Sequence, residues 1–267
     1  MRDLRGKRWL GYQSWRRKRR HRYLREVLDE LVLGVQADNP DVVLITGDLV
    51  HIGLEQEFRE ARAWLESVGP PQQVRLVPGN HDCYHPESWE LAKRAYGEYL
   101  PGNQGAQFPA VETHGPVTLV LASSAHPAPW WGAIGTLGAP QRQRISDALA
   151  AHQSNARVLA LHHPPLPNTC SWRKALTDAA QLGPVLQQGK PHITLHGHLH
   201  HNREHRTEYG RIYCTASAAN SGESAPAAYR LFDIRQTDTA WQVTMQLKEL
   251  RAGVLSCTER DEYEAAN

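Results

Sequence analysis

The sequence predicts an α/β fold. Three observations carry this: short apolar runs alternate with amphipathic helical stretches, several of these runs stop abruptly at polar residues, and the last fifth of the chain has strand-like patterning. The chain has 267 residues, 40% hydrophobic and 22% charged, enough to bury a large core and too balanced for disorder.

Residues 16–38 place Leu24, Val27, Leu28, Leu31 and Val35 at helical spacing, and Asn39-Pro40 ends the run; one amphipathic helix with a basic first half is expected. The run 41–46 (DVVLIT) reads as a strand buried on both faces that ends at Gly47-Asp48. A helix over 55–68 leads to a strand at 74–77, which ends in Pro78-Gly79-Asn80-His81-Asp82. A helix near 87–100 and a Gly/Pro-rich segment (101–116) precede a strand at 117–123 and a long loop with Trp130 and Trp131. Helix 139–152 feeds strand 157–161, which ends at His162-His163-Pro164-Pro165. Helix 171–188 feeds strand 192–195, which ends at His196-Gly197-His198-Leu199-His200. Beyond residue 210, RIYCTAS, YRLFDI and WQVTMQL read as three strands, and CTERDEYEAAN as a frayed acidic tail. The expected organisation is a basic arm and helix (1–40), one catalytic domain (41–250) and a polar acidic tail (251–267).

The net charge of +2 hides a polarity: residues 1–25 hold 11 Lys/Arg against one acid, Asp3. Such an arm suits contact with anionic lipid, nucleic acid or a phosphate substrate, and equally a solvated helix face. No apolar stretch approaches the roughly 20 residues of a membrane span, and the start is charged, so the expected compartment is the cytoplasm, with peripheral membrane attachment as a variant. Four scattered cysteines without CxxC spacing are expected to be free thiols, mostly buried. No GxSxG or GxxxxGK[ST] occurs, which sets aside serine hydrolases and P-loop enzymes.

Of fifteen histidines, nine cluster at or beside these strand ends: His81/His85, His162/His163 and His192/His196/His198/His200/His201. Asp48, Asn80, His162, His198 and His200 are oxygen and nitrogen donors of the kind that suits Mn²⁺, Fe or Zn²⁺ better than Ca²⁺, and a parallel or mixed sheet would bring their strand ends to one rim. His85, His126, His152 and His205 read as loop residues; His163, His196 and His201 read as supports behind the ligands or at the pocket rim. Trp130 and Trp131 read as loop anchors, with nucleobase stacking as the alternative.

GDLVHIG (47–53), GNHD (79–82), HHPP (162–165) and GHLH (197–200), in this order, resemble the signatures of the calcineurin-like metallophosphoesterase superfamily, and most closely bacterial class III cyclic-nucleotide phosphodiesterase-like proteins. The resemblance implies the metallo-dependent phosphatase fold, a four-layer α/β/β/α sandwich of two mixed sheets, around a dinuclear centre that hydrolyses phosphate esters. Carried over, Asp48 bridges two metals, Asn80, His162 and His198 complete the second site, and His200 binds the first. His81 lies over the substrate to stabilise charge or protonate the leaving oxygen, Asp82 orients it, and a metal-bound hydroxide attacks phosphorus.

The chain departs from that pattern at its start. Family members open with an apolar strand ending in Asp-x-His, and nothing before Asp48 matches; Asp3, Asp29, Asp38 and Asp41 lack the surroundings. The fold is therefore expected to lack its first strand, either because the sequence begins inside a longer protein, the favoured account, or because half of the first metal site is lost. His51, three residues after Asp48, is a candidate additional ligand where purple acid phosphatases carry a tyrosine. Two functions remain: a metal-dependent phosphoesterase, diesters preferred to monoesters, with one or two ions; or a degenerate scaffold that holds an anionic partner through its basic arm.

Overall fold

The computed structural model describes residues 6–17 and 19–266. Residues 1–5 (with Asp3) and Lys18 of the basic arm, and Asn267 of the expected tail, lie outside the described residues.

The arm forms helix α1 (Lys7–Arg17), a 3-10 turn (Arg19–His21) and then helix α2 (Arg25–Asp38). The single helix expected over 16–38 is thus broken. Tyr23 bridges to Asn220, and the N–H of Leu24, in extended backbone, donates to the Ala219 carbonyl at 2.9 Å. Those contacts hold 23–24 against a distant loop and outweigh local helical propensity. α1 is fastened to the body by Arg8, which donates to the carbonyls of Ile52 and Gly53, and by the close approach of Gly11 to Ile52 and Tyr84.

Strand β1 (Val43–Ile45), helix α3 (Glu55–Val68), strand β2 (Val74–Leu76) and helix α4 (Ser88–Tyr96) follow, with β1 and β2 parallel. Glu57 ties off the start of α3: its carboxylate accepts the N–H groups of His51, Ile52 and Leu54. Helix α5 (Pro101–Gly105) and strand β3 (Ala110–His114) occupy the segment expected to be irregular, and β3 pairs antiparallel with β4 (Val117–Leu121). Helix α6 (Ala139–Ala151), strand β5 (Ala156–Ala160), helix α7 (Ala179–Gly189) and strand β6 (Ile193–His196) continue the alternation. α7 is shorter than the expected 171–188 helix because only a 3-10 turn forms at Trp172–Lys174. Strands β7 (Arg203–Thr207), β8 (Gly210–Cys214), β9 (Ala227–Gln236), β10 (Ala240–Arg251) and β11 (Val254–Ala266) complete the chain.

The strands make a mixed six-stranded sheet, β3-β4-β5-β6-β8-β7, a pair β1-β2 and an antiparallel triplet β11-β10-β9. Apolar side chains arrange them in four layers. Val42, Leu44, Val77, Val243 and Met245 meet Leu119, Val158 and Ile193 of the large sheet between the two sheet layers. α3 and α4 cover β1-β2, with α2 beside them, and α2 also packs through Val27 and Leu31 on β9-β10. On the far side α6 and α7 cover Val120, Leu159 and Leu161. This is the expected α/β/β/α sandwich.

The expected missing strand shows as a break in the first sheet layer. Among the described residues, β1 has a partner only in β2 and β9 only in β10. Their free edges border a groove of about 1030 Å³, lined by 42–48 on one side, 228–234 on the other, and by Leu119, Val158 and Leu195 of the large sheet.

The frayed tail is a correction: residues 254–266 pair with β10 along its length as β11. Tyr263 turns inward, with the Arg211 guanidinium 3.5 Å from its ring centroid, and Arg211 also meets Glu204 and Asp261. An edge strand with one solvated acidic face reads as a tail because its outward residues are polar. Of the four free cysteines, Cys83 and Cys214 are buried, Cys170 is intermediate and Cys257 is exposed.

Candidate metal centre

Asp48, Asn80, His162 and His198 follow β1, β2, β5 and β6, so the carboxyl ends of two parallel strand systems face one another across the sheet interface. The loops touch closely. A Cβ on Gly47, at φ +95°, would lie 2.4 Å from the Gly79 nitrogen, and one on Gly79 would lie 2.2 Å from Asp48 Oδ1. The two glycines let the loops meet. Asp48, His198 and His200 themselves have positive φ (65°, 69° and 56°), a conformation that costs non-glycine residues energy and that gathers at functional sites.

Asp82 fastens the first loop. Its carboxylate accepts the N–H groups of Gly79 and Asp48 at 2.8 Å, of Leu49 at 3.2 Å, and the Tyr96 hydroxyl at 2.8 Å. Burial and the neighbouring Asp48 charge raise its pKa to about 6. The expectation that Asp82 orients His81 is corrected by these contacts: they go to the backbone of Gly79, Asp48 and Leu49 and to Tyr96, not to the His81 side chain. His81 is oriented by the His51 carbonyl, 2.5 Å from its Nδ1, while the His81 N–H donates to Asp48 Oδ1 at 2.8 Å.

The donors around His162 form a compact set. Its Nδ1 lies 2.6 Å from the Thr46 carbonyl, which assigns the ring proton there and leaves Nε2 as a lone pair. Within reach of Nε2 are His198 Nδ1 at 3.1 Å, Asn80 Oδ1 at 3.3 Å and Asp48 Oδ2 at 3.3 Å. His198 Nε2 is buried without a partner, and with the His198 proton there the four atoms are all acceptors, which repel unless a cation joins them. Bonds of about 2.1 Å in a tetrahedral set would put such atoms roughly 3.4 Å apart, which the three distances from His162 Nε2 match. The electrostatics agree. Burial works to raise the Asp48 pKa, yet His162, His81 and His198 hold it well below the usual carboxylate range. Burial works to lower the His162 pKa, and Asp48 outweighs it, so His162 attracts positive charge. Burial first, then His162, pushes His198 down to about 2, which keeps its imidazole neutral and able to ligate.

The remaining expected residues fall into two groups. His200 lines the same groove as Asp48 and His81, with its Nδ1 2.7 Å from the Tyr23 hydroxyl. His51 stacks on the His81 ring, but its nitrogens face Arg19 (3.1 Å) and the Gly11 carbonyl (3.4 Å) rather than Asp48 and His200. Among the described residues, the His/Cys/Asp/Glu cluster tight enough to suggest a metal is His162, His163 and His198. His163 is fully buried beside His162 and His198, with its Nδ1 2.8 Å from the Ser124 hydroxyl. His196 and His201 engage the carbonyls of Gly197 and Leu199 and shape the turn that carries His198 and His200. Trp130 is 72% exposed, and Trp131 packs on Trp172.

Three further residues matter to the site: Arg19 and Tyr23, which the sequence marked only as members of the basic, aromatic arm, and Tyr96, which it did not mark. The charge run of the arm was the signal for the first, but its aim into the site depends on the turn at 19–24.

A model of the calcineurin-like phosphoesterase family matches residues 17–202. A protein of Rhodococcus erythropolis described as a probable cyclic nucleotide phosphodiesterase is 28% identical over 185 residues, 67% of this chain and 57% of the relative. A Mycobacterium tuberculosis protein described as a cAMP/cGMP dual specificity phosphodiesterase is 29% identical over 167 residues, 61% of this chain and 49% of the relative. The chain thus spans about half the length of these curated relatives. The crystal structure of a dimetal phosphatase from Danio rerio superposes with a TM-score of 0.65 at 14% identity, covering 91% of this chain and 90% of that one, a likeness of fold.

Proposed function

The chain belongs to the calcineurin-like phosphoesterase family, and we propose that it is a metal-dependent phosphoesterase that prefers phosphodiesters. The observation that carries the reading is the convergence of His198 Nδ1, Asn80 Oδ1 and Asp48 Oδ2 on His162 Nε2 where the strand ends meet, a donor set suited to a cation. The description of relatives as cyclic nucleotide phosphodiesterases supports the diester preference.

Asp48, Asn80, His162 and His198 would hold the ion, and Thr46 fixes the ligating tautomer of His162. A bound divalent ion supplies a Lewis acid for a phosphoryl oxygen and acidifies a water to serve as nucleophile. The mixed carboxylate, amide and imidazole donors suit Mn²⁺, Fe or Zn²⁺. For a second ion, the described residues offer Asp48 and His200, which makes a one-ion centre the simpler arrangement.

His81 is the proton donor in this reading. Its Nδ1–H is committed to the His51 carbonyl, so the exchangeable proton is the one at Nε2. Burial and then Arg19 lower its pKa against the pull of Asp48, so the resting ring is neutral at Nε2, and a proton taken up there is readily passed to a leaving oxygen. Asp82 keeps the Asp48 loop in register for this geometry. No helix among the described residues is long and apolar enough to cross a membrane, and a cytoplasmic enzyme is the setting proposed.

Substrate preference is tested by comparing hydrolysis of bis-p-nitrophenyl phosphate with p-nitrophenyl phosphate by the manganese-loaded chain. Faster turnover of the diester is expected, and a monoester-only activity would overturn the preference.

A further inference from the structure

Resting on the phosphoesterase reading, we infer that Arg19 is a substrate-binding residue, a guanidinium clamp for the phosphoryl group at the mouth of the metal centre. Arg19 belongs to the 3-10 turn that follows α1, and its side chain enters the groove that also contains Asp48, His81 and His200. One of its nitrogens, Nη1, lies 3.1 Å from His51 Nδ1 and 3.3 Å from His81 Nε2. Both imidazole nitrogens are acceptors. His81 has its proton on Nδ1, aimed at the His51 carbonyl, and His51 has its proton on Nε2, aimed at the Gly11 carbonyl.

Arg19 therefore rests on two neutral rings, and it forms no salt bridge with a described carboxylate. Arg75, Arg142 and Arg211 have such partners in Glu112, Asp178 and Glu204, whereas Arg157, which also lacks one, is spent on the carbonyls of Gln153 and Lys190. A guanidinium has five donors, and one nitrogen serves both contacts here, so most of its donor fork is available. A permanent cation of that shape, held at the edge of a metal-ligating cluster, is matched in charge and geometry by the non-bridging oxygens of a phosphate ester. It does so at the place where, among the described residues, a second ion would find only Asp48 and His200. Phosphate arriving there would draw Arg19 away from His81 Nε2 and leave that lone pair free.

Two imposed features hold the clamp in place. The turn is secured because the N–H groups of Arg22 and Tyr23 donate to the Arg19 carbonyl at 3.0 and 2.9 Å. Tyr23 is in turn held by its bridge to Asn220 and its hydroxyl contact with His200.

The test uses the full chain and its Arg19→Ala and Arg19→Lys variants. Inorganic phosphate is titrated calorimetrically into metal-loaded and metal-stripped protein, metal content is measured, and KM and kcat are determined with bis-p-nitrophenyl phosphate. The expected result is phosphate affinity weakened by about tenfold or more in Arg19→Ala, part of it regained in Arg19→Lys, unchanged metal content, and KM raised more than kcat falls. Phosphate binding in Arg19→Ala equal to that of the parent would overturn the proposal. So would a loss of metal in step with phosphate, since Arg19 would then support the ligand cluster instead. If the parent hydrolyses no ester, the phosphoesterase reading fails, while the phosphate titration still decides the role of Arg19.

Discussion

The carboxylate of Asp82 accepts the backbone N–H of Asp48 at 2.8 Å, and through the same oxygen the N–H of Gly79, so one buried side chain locks two loops from two strands. Asp82→Asn replaces one of these acceptors by an amide nitrogen that faces donors. Removal of a charged acceptor from buried donors costs about 2–3 kcal/mol or more. A fall in the urea midpoint together with weaker metal retention is expected, and a variant with parental values for both would contradict this role.

Gly79→Ala forces a Cβ to within 2.2 Å of Asp48 Oδ1 and 2.5 Å of its backbone nitrogen, so Asp48 must move. Lower metal content with the fold retained is the expected outcome, read by elemental analysis and circular dichroism. Gly183→Ala is the control: it lies in α7 with nothing within 4 Å of the new Cβ. Pro184 follows, and its ring crowds a Cβ on the preceding helical residue, which offsets the gain from replacing glycine; the change should leave the metal content alone.

His81→Ala removes the proton donor but none of the atoms around His162 Nε2. Turnover of a diester should fall by roughly 10²–10⁴-fold while metal content stays parental. A leaving group of low pKa, which needs less protonation, should narrow that gap, and equal losses for poor and good leaving groups would argue against proton donation.

His192 gives a pH signature remote from the metal centre. Its Nδ1 accepts the Arg157 N–H at 2.8 Å and its Nε2 donates to the Ala266 carbonyl at 2.9 Å. Burial, then Arg157, lowers its pKa to about 4 from 6.5. Between those values the unfolded chain binds the proton and the folded chain does not, so this contribution is full above pH 6.5 and is lost as pH falls towards 4. Urea melts at pH 7 and pH 4.5 should show a larger loss in the parent than in His192→Gln.

Much of this site was legible because its donors end short apolar strands, although β1, expected to be buried on both faces, is half-buried along the groove. Asp48, Asn80, His162 and His198 each follow an apolar run, and parallel pairing is what brings such ends together. The four layers followed from the same alternation and from the family resemblance. Other features depend on partners far along the chain. The break before α2 exists because Leu24 bonds Ala219, and Arg19 reaches His81 only because of that break. β11 was hidden by its solvated face, and the service of Asp82 to Asp48 by the fact that its partners are mostly backbone N–H groups, which leave no mark in a residue pattern.

The central claim is that the strand-end cluster binds a metal ion and uses it on a phosphate ester. Stripping the chain of metal, reloading it with Mn²⁺ and following hydrolysis of bis-p-nitrophenyl phosphate, beside Asp48→Ala, tests it most directly. The account predicts turnover that appears with Mn²⁺ and is lost with Asp48. Hydrolysis that is indifferent to Mn²⁺, or that survives in Asp48→Ala, would contradict it.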